Sequence, residues 1–244
     1  LTSVPMHMIT ACTQLEAMDL GSNRITSLPS EIGMLTKLLE LYAPFNAIQE
    51  IPNEVQNLQL LTKLSLIQNR IRDIPDGIFK LTNLLRLVIP GNLLSVVPKE
   101  ISKLYNLSVL NLTANEIKVI PKEICQLTSL NKLILSNNQI STIPTEIGLM
   151  SSLECFHISR NRLQFIPSDI GNLTNLFSLR LFHNPLVMVP RELLKISKAN
   201  IILPTLKKLK LNATDEIDEI LQVYEDLDQL YQYLYRKRPS SCNK

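Results

Sequence analysis

The chain has 244 residues, of which 45% are hydrophobic, and a formal net charge of only +3. Domains dedicated to nucleic acids are usually far more basic, so we expect no nucleic-acid partner. No apolar run reaches the roughly 18 residues that a membrane-spanning helix needs. The cysteines lack the spacing of a zinc site or a disulfide-rich domain, which favours a cytoplasmic location; they are Cys12, Cys125, Cys155 and Cys242.

The chain begins inside a repeating pattern. Residues 1–5 read LTSVP, which matches the ITSLP of residues 25–29. We therefore expect residues 1–14 to form a partial repeat. Because this segment carries no polar capping unit, which a solenoid needs at its ends, we also expect further chain upstream in the natural protein.

An asparagine recurs eight times at steps of 23 residues, and a proline follows six residues after each one. With each asparagine as position 0, apolar residues occupy positions −8, −5, −3, +2, +5, +9 and +12 in every repeat. Self-similarity at a period of about 20 to 50 residues is typical of a solenoid. The asparagines number the repeats from one to eight and are Asn23, Asn46, Asn69, Asn92, Asn115, Asn138, Asn161 and Asn184.

Each part of this repeat has a physical reading. The alternating LxL segment predicts a short strand, and the distance to the next strand predicts parallel pairing. We expect the asparagine to turn inward and bond backbone groups of its own and the adjacent repeat. The proline starts the return path. An acid follows two residues later in seven of the eight repeats, which is consistent with a short outer helix and equally with a solvated charge.

The pattern LxxLxLxxNxIxxIPxxIxxLxx resembles the leucine-rich repeats of the intracellular Ras-group type, which include Ras-suppressor, plant intracellular Ras-group, Scribble and Erbin arrays. The resemblance covers residues 1–196. It implies an α/β repeat solenoid, a curved horseshoe with a parallel β-sheet on the concave face and short 3-10 or helical segments on the convex face. It further implies a cytoplasmic protein-binding scaffold, often in small-GTPase signalling.

The repeat fails after Ile196, and we expect residues 197–244 to end the array. Leu206, Leu209 and Leu211 keep the LxxLxL spacing, which predicts one last irregular strand. Apolar residues at helical spacing then predict a helix over residues 214–238, followed by a short tail. We interpret this helix as a cap on the last repeat, with binding of a partner as the alternative.

Sequence signals of catalysis are lacking. The six glycines are scattered and form neither a phosphate-binding loop nor a nucleophile elbow. We expect His157 and His183 on the strand face beside arginines, whose charge disfavours a metal ion. Cys155 has no His–acid pair to activate it and is interpreted as a surface thiol. We therefore expect no enzyme activity, no cofactor and no metal site.

Binding is expected on the concave face, which we define as the side chains at positions −6, −4, −2, −1 and +1. Concave surfaces are what solenoids usually bind with, and exposed aromatic and arginine side chains are common interface anchors. A structural column would be uniform, whereas position −4 varies from repeat to repeat. The predicted partner-binding residues are Tyr42, Phe45, Lys63, Arg86, Val88, Ile134, His157, Arg160, Arg180, Phe182 and His183.

These residues include two clusters. The N-terminal cluster is Tyr42 with Phe45, near Glu40 and Lys63. In this repeat Ala43 underfills the core and the proline after it removes a strand donor, so an inward Phe45 is the alternative. The C-terminal cluster consists of His157, Arg160, Arg180, Phe182 and His183.

The charge of the concave face indicates the kind of partner. The face carries eight Lys or Arg residues and three acids, a net charge of +5. Complementary charge speeds encounter and fixes orientation. We expect an acidic partner surface on repeats seven and eight, with Phe182 as the apolar anchor beside Arg160 and Arg180. By family analogy, the acidic effector-facing surface of a small GTPase would suit.

Two other functions are compatible with the sequence. The first is the recognition domain of a larger signalling enzyme, whose kinase, phosphatase, cyclase or GTPase part lies outside this chain. The second is an extracellular receptor, in which the N-x-S/T sequons would carry glycans. We interpret the sequons as chance matches; they begin at Asn106, Asn111, Asn172 and Asn212.

Overall fold

The computed structural model describes residues 1–196 and 200–202. After a short helix, α1 (Met6–Ala11), three-residue strands alternate with five-residue 3-10 helices. The strands are β1 Ala17–Asp19, β2 Glu40–Tyr42, β3 Lys63–Ser65, β4 Arg86–Val88, β5 Val109–Asn111, β6 Lys132–Ile134, β7 Cys155–His157, β8 Ser178–Arg180 and β9 Asn200–Ile202. The 3-10 helices are Ser30–Met34, Asn53–Asn57, Asp76–Lys80, Lys99–Lys103, Lys122–Gln126, Thr145–Leu149, Ser168–Asn172 and Arg191–Lys195.

The strands form one parallel sheet in sequence order from β1 to β9. Leu41 lies opposite Leu64, and Leu64 lies opposite Leu87, so equivalent positions of successive repeats are direct neighbours. The register advances by one whole repeat at each strand until β9, where Ser178 pairs with Asn200. The expected solenoid, with its parallel sheet and short 3-10 helices, is confirmed.

Each 3-10 helix begins directly after the repeated proline. Pro29 has an extended backbone, and its carbonyl oxygen accepts a hydrogen bond from the N–H of Ile32 at 3.0 Å. The same bond joins Pro121 to Ile124 at 3.0 Å. An acid lies in the first turn of every one of these helices. The proline therefore turns the chain from the strand face to the outer side, as the sequence predicts.

The core is continuous along the described array. The seven apolar positions of each repeat are buried, with exceptions only in the first and last repeats, where Leu15, Leu186 and Val189 are partly buried. Side chains along the chain alternate between this core and the sheet surface at the strands. Leu41 and Ala43 are buried in the core, and Tyr42 between them is half-buried on the sheet surface. No repeat encloses its own leucines, so burial depends on the stacked neighbour.

The repeated asparagines join successive repeats. The Asn115 Oδ1 atom accepts a hydrogen bond from the N–H of Leu94 at 3.0 Å. Its Nδ2 group donates to the carbonyl oxygens of Ile89, Leu112 and Thr113 at 3.0, 3.1 and 3.3 Å. Asn46 and Asn161 make equivalent bonds. The expectation that this side chain satisfies backbone groups of its own and the adjacent repeat is confirmed.

The first segment continues this pattern. The Leu1 carbonyl oxygen accepts a bond from the Arg24 N–H at 2.8 Å, and the Leu1 amino group donates to Asn23 Oδ1 at 2.8 Å. The outer segment here is the α-helix α1, in place of a 3-10 helix.

Several sequence predictions lie outside the described residues. These are the irregular strand around Leu206, Leu209 and Leu211, the capping helix over residues 214–238 and the tail after it. Strand β9, at Asn200–Ile202, lies at a place where the sequence pattern predicts no strand. Within the described part, no helix has the length and apolar character needed to cross a membrane.

We expect Asn115→Ala to lower the free energy of unfolding by about 1–3 kcal/mol, because buried backbone groups would lose their partner. Urea unfolding followed by circular dichroism measures this change. Asn83→Ala is the matched control, since Asn83 is exposed and donates one bond, to the Gln59 carbonyl oxygen at 2.9 Å. Equal stability of the two variants would show that the asparagines do not hold the repeats together.

Candidate functional site

The parallel register sets the layout of the concave face. Position −4 of each repeat lies directly opposite position −4 of the next, so Tyr42 neighbours Ser65, and His157 neighbours Arg180. Strands in a sheet are about 4.8 Å apart, so the five strand intervals between Tyr42 and His157 separate them by roughly 24 Å. The two predicted clusters therefore lie at separate places on one continuous surface.

The residue before each repeated asparagine has a left-handed backbone. All eight of these residues have positive φ, including Phe45 at 56°, Arg160 at 54° and His183 at 55°. Their N–H groups extend the sheet beyond the strands: Phe45 donates to the Ile67 carbonyl oxygen at 2.8 Å and Arg160 donates to that of Phe182 at 2.9 Å. This column supplies side chains from a fixed turn, and the mixed residue types in the column do not predict its conformation.

The same pattern corrects the expectation about Pro44. The sheet bonds on either side of it are donated by the N–H groups of Ala43 and Phe45. Position −2 therefore donates no sheet bond in this repeat, and proline there removes none. Phe45 is 58% exposed, whereas Ala43 is fully buried, so the alternative of an inward Phe45 is wrong.

In the N-terminal cluster, Glu40 holds two of the predicted side chains. The Lys63 Nζ atom lies 2.6 Å from Glu40 Oε1, and the Tyr42 hydroxyl donates to Glu40 Oε2 at 2.8 Å. These bonds hold the pKa of the Glu40 carboxyl below its ordinary value and raise the pKa of Lys63 and of Tyr42. Lys63 is thus already paired within the chain, and the exposed ring of Phe45 is the main apolar feature here.

The predicted binding residues between the two clusters do not form a cluster of their own. Arg86 is exposed on β4, while Val88 and Ile134 are half-buried on β4 and β6. Asn111 lies between Val88 and Ile134 in the register. The structure therefore does not join Val88 and Ile134 into one apolar patch.

In the C-terminal cluster, the interpretation of His157 as an exposed contact is wrong. Its side chain is only 7% exposed, and its Nε2 atom lies 2.8 Å from the Ser178 hydroxyl oxygen. Burial, together with the positive charges of Arg180 and Lys132, lowers the pKa of His157 to about 4. The imidazole is therefore neutral at pH 7 and offers little exposed area to a partner.

The other members of this cluster stand at the surface. Arg160 and His183 are exposed, and Arg180 and Phe182 are half-buried. The rings of Phe182 and His183 meet edge to face, with centroids 5.2 Å apart. The Nε atom of Arg180 is buried and has no hydrogen-bond partner in the described residues.

Two further polar side chains were missed because their burial depends on neighbours. Ser159 is 1% exposed, and its hydroxyl has no partner in the described part of the chain. Ser178 is buried against His157. Cys155 is only 2% exposed, so the interpretation of this residue as a surface thiol is wrong. Strand β7 is buried at all three positions, and alternation along a strand does not predict this.

The concave face offers a partner apolar contacts and positive charge. Over residues 1–196 and 200–202, no three His, Cys, Asp or Glu side chains are grouped to hold a metal ion. Burial and the nearby charges of Glu146 and Glu123 raise the pKa of the other buried thiol, Cys125, to about 12, so it stays protonated at pH 7. The C-terminal cluster presents guanidinium groups beside an aromatic pair, an arrangement suited to a protein surface.

The described residues define a solenoid repeat protein with an open parallel sheet. The sequence model of the leucine-rich repeat region matches residues 92–238, and a second leucine-rich repeat model matches residues 59–117. The first match covers more than half of the chain, which therefore belongs to the leucine-rich repeat family. This fold is typical of protein–protein interaction domains. No curated protein matches the chain.

Solved structures share this fold. An internalin (inlF) from Listeria monocytogenes is 23% identical, with a TM-score of 0.69 over 82% of this chain and 64% of that one. The Arabidopsis receptor kinase HAESA, in complex with the peptide hormone IDA and the co-receptor SERK1, is 29% identical, with a TM-score of 0.73 over 83% of this chain and 35% of that one. The chain thus spans less than two thirds of the internalin and about a third of HAESA.

We expect acid to destabilise the protein through His157. The pKa of His157 is about 4 in the folded protein, against an ordinary value of 6.5 that applies to the unfolded chain. Between these two pH values the unfolded chain therefore binds more protons than the folded protein. The contribution of neutral His157 to the free energy of unfolding is complete above pH 6.5, and it falls by about 2–3 kcal/mol as the pH drops to 4. Urea unfolding of the wild type and His157→Gln at pH 7 and pH 4.5 measures it.

The His157→Gln variant should lose much less stability than the wild type between these two pH values. His183→Gln removes an exposed histidine and is the matched control, which should behave as the wild type does. If the wild type and His157→Gln lose the same free energy of unfolding on acidification, the neutral buried state of His157 is wrong.

Proposed function

We propose that this chain is a non-catalytic protein-interaction scaffold that binds an acidic partner on the concave face of repeats seven and eight. The observation that supports the site is the pair Arg160 and Arg180, which have no acidic partner among the described residues. Phe182, which is half-buried and follows Arg180 by two residues, supplies an apolar contact. Arginine and aromatic side chains together are the usual anchors of a protein interface.

The N-terminal cluster is the less favoured place for a charged partner. Glu40 already neutralises Lys63 there, so an incoming acid would have to compete with a formed ion pair. At the C-terminal cluster the guanidinium charges need no such displacement. Phe45, with its exposed ring, remains a candidate apolar contact for a partner that extends along the sheet.

The resemblance to Ras-group repeats narrows the proposal. It supports a cytoplasmic signalling role and a small GTPase as the acidic partner. The peptide hormone and co-receptor in the HAESA complex support protein recognition as a use of this fold. Identity of the partner rests on analogy, and the charge of its surface rests on the arginines.

The test compares Arg160→Glu/Arg180→Glu with the wild type in affinity capture quantified by mass spectrometry. We expect at least one protein to be lost on charge reversal, because its acidic surface would then face glutamates. With that protein purified, association should slow about tenfold or more at low salt, and the difference should shrink as salt rises.

Arg24→Glu/Arg70→Glu is the matched control. It reverses the same charge at exposed concave positions in repeats one and three. Capture should match the wild type in this control. Identical capture by both double variants and the wild type would contradict the site on repeats seven and eight.

A second candidate function is recognition on behalf of a larger signalling enzyme. It is favoured by the 29% identity to HAESA, a receptor kinase of which this chain spans 35%. The full-length transcript distinguishes the two functions. An open reading frame that continues into a kinase, phosphatase, cyclase or GTPase domain would favour the second, whereas one without such a domain would favour the scaffold.

A further inference from the structure

Exposed apolar side chains occupy one place on the flank of repeats four, five, seven and eight, outside the concave face. This place lies at position +4, on the segment between the asparagine and the proline. Val96, Val119, Phe165 and Met188 are 62, 59, 56 and 59% exposed. Thr142, also exposed, occupies the same place in repeat six. We call these five residues the flank stripe.

The flank stripe is not required by the fold. The next residue of each repeat points into the core, as Val97, Ile120 and Ile166 do with 4, 4 and 6% exposure. In repeats one to three the same +4 place holds polar or acidic residues, which are exposed as well: Ser27, Glu50 and Asp73. The same backbone therefore accepts polar side chains here, and the apolar residues of repeats four, five, seven and eight need another explanation.

Lysines lie close in sequence to one half of the stripe. Lys118 precedes Val119 directly, and Lys99 and Lys122 each follow a stripe valine by three residues. All three lysines are exposed, and none forms an ion pair within the described residues. Apolar contact flanked by unpaired positive charge suits a partner that is apolar in the middle and acidic at its edge.

The spacing of the stripe indicates the form of that partner. Paired strands lie about 4.8 Å apart, and this sets the smallest spacing of successive stripe residues, which lie outside the concave sheet of a curved solenoid. An α-helix advances about 5.4 Å per turn, so a helix along the stripe would place roughly one side chain against each repeat. An extended strand repeats its side chains at about 6.6–6.8 Å on one face and falls out of step sooner.

We propose that the flank stripe binds an amphipathic α-helix of another protein, whose apolar face contacts Val119, Phe165 and Met188. Acidic residues beside that face approach Lys99, Lys118 and Lys122. Helices bound in this manner present anchors at i, i+3 or i+4, and i+7. This site is separate from the concave face, so either proposal stands or fails alone.

The test selects binders from a displayed library of single-helix peptides against the full chain. Peptides that also bind Val119→Asp/Phe165→Asp are removed at each round. We expect the remaining peptides to share apolar residues at helical spacing and to be enriched in Asp and Glu beside them. A selection that yields no binder, or binders enriched in Lys and Arg, would overturn the proposal.

The selected peptide then gives the energetics by fluorescence anisotropy. Val119→Asp and Phe165→Asp should each weaken its Kd at least tenfold, which is about 1.4 kcal/mol. Lys99→Glu/Lys122→Glu should weaken binding at low salt, with a smaller effect at high salt. Both substituted surfaces are exposed, so melting temperatures should stay near that of the wild type.

Leu149→Asp is the matched control, because Leu149 is 67% exposed and lies outside the stripe. It should bind the peptide as the wild type does, and an equal loss in this variant would overturn the proposal. Two other occupants are tested in parallel. Stripe-dependent binding to phosphatidylserine vesicles, or stripe-dependent dimers in sedimentation velocity, with no selected peptide, would assign the surface to a membrane or a second copy instead.

Discussion

The structure depends on the need of each repeat to satisfy the backbone of its neighbour. A strand of three residues cannot pair with itself, and the turn after it leaves carbonyl and N–H groups facing the core. The repeated asparagine meets this need with one side chain: Asn69 accepts from the Ile48 N–H at 3.0 Å and donates to the Ala43 carbonyl oxygen at 2.9 Å. Because these bonds cross between repeats, hydrogen bonding and leucine burial require the same stacking.

This constraint leaves the remaining positions free to carry binding surfaces. The backbone at Ala43–Pro44–Phe45 follows the same path as in other repeats, although its side chains differ from the pattern. The left-handed residue before each asparagine is a phenylalanine, an arginine or a histidine in repeats two, seven and eight, and a glycine in repeat four. The concave face and the flank stripe are two such surfaces on one scaffold, and the residues of each differ from repeat to repeat.

The sequence predicts the parts of this molecule that repeat. Strand positions, the sheet order, the 3-10 helices after the prolines and the inward asparagines follow from periodicity, because all are consequences of stacking. Site residues were predicted by column, and a column does not record how neighbours crowd. His157 and Cys155 occupy surface columns but are buried, since β7 is covered at all three positions. The Glu40–Lys63 pair depends on register between strands and on rotamers, which one sequence does not specify.

The partly buried residues at the two ends of the array have a consequence for dynamics. Stability in a stacked array is the sum of local terms and of terms between neighbours, so a repeat that buries fewer of its apolar side chains opens first. Leu186 and Val189 lie in repeat eight, close in sequence to Arg180 and Phe182. We therefore expect the amide hydrogens of repeat eight to exchange faster than those of the middle of the array. A partner bound to repeats seven and eight would slow this exchange. Because each repeat is stabilised by its neighbours, the same partner would also slow exchange in the adjacent repeats, with an effect that declines along the array.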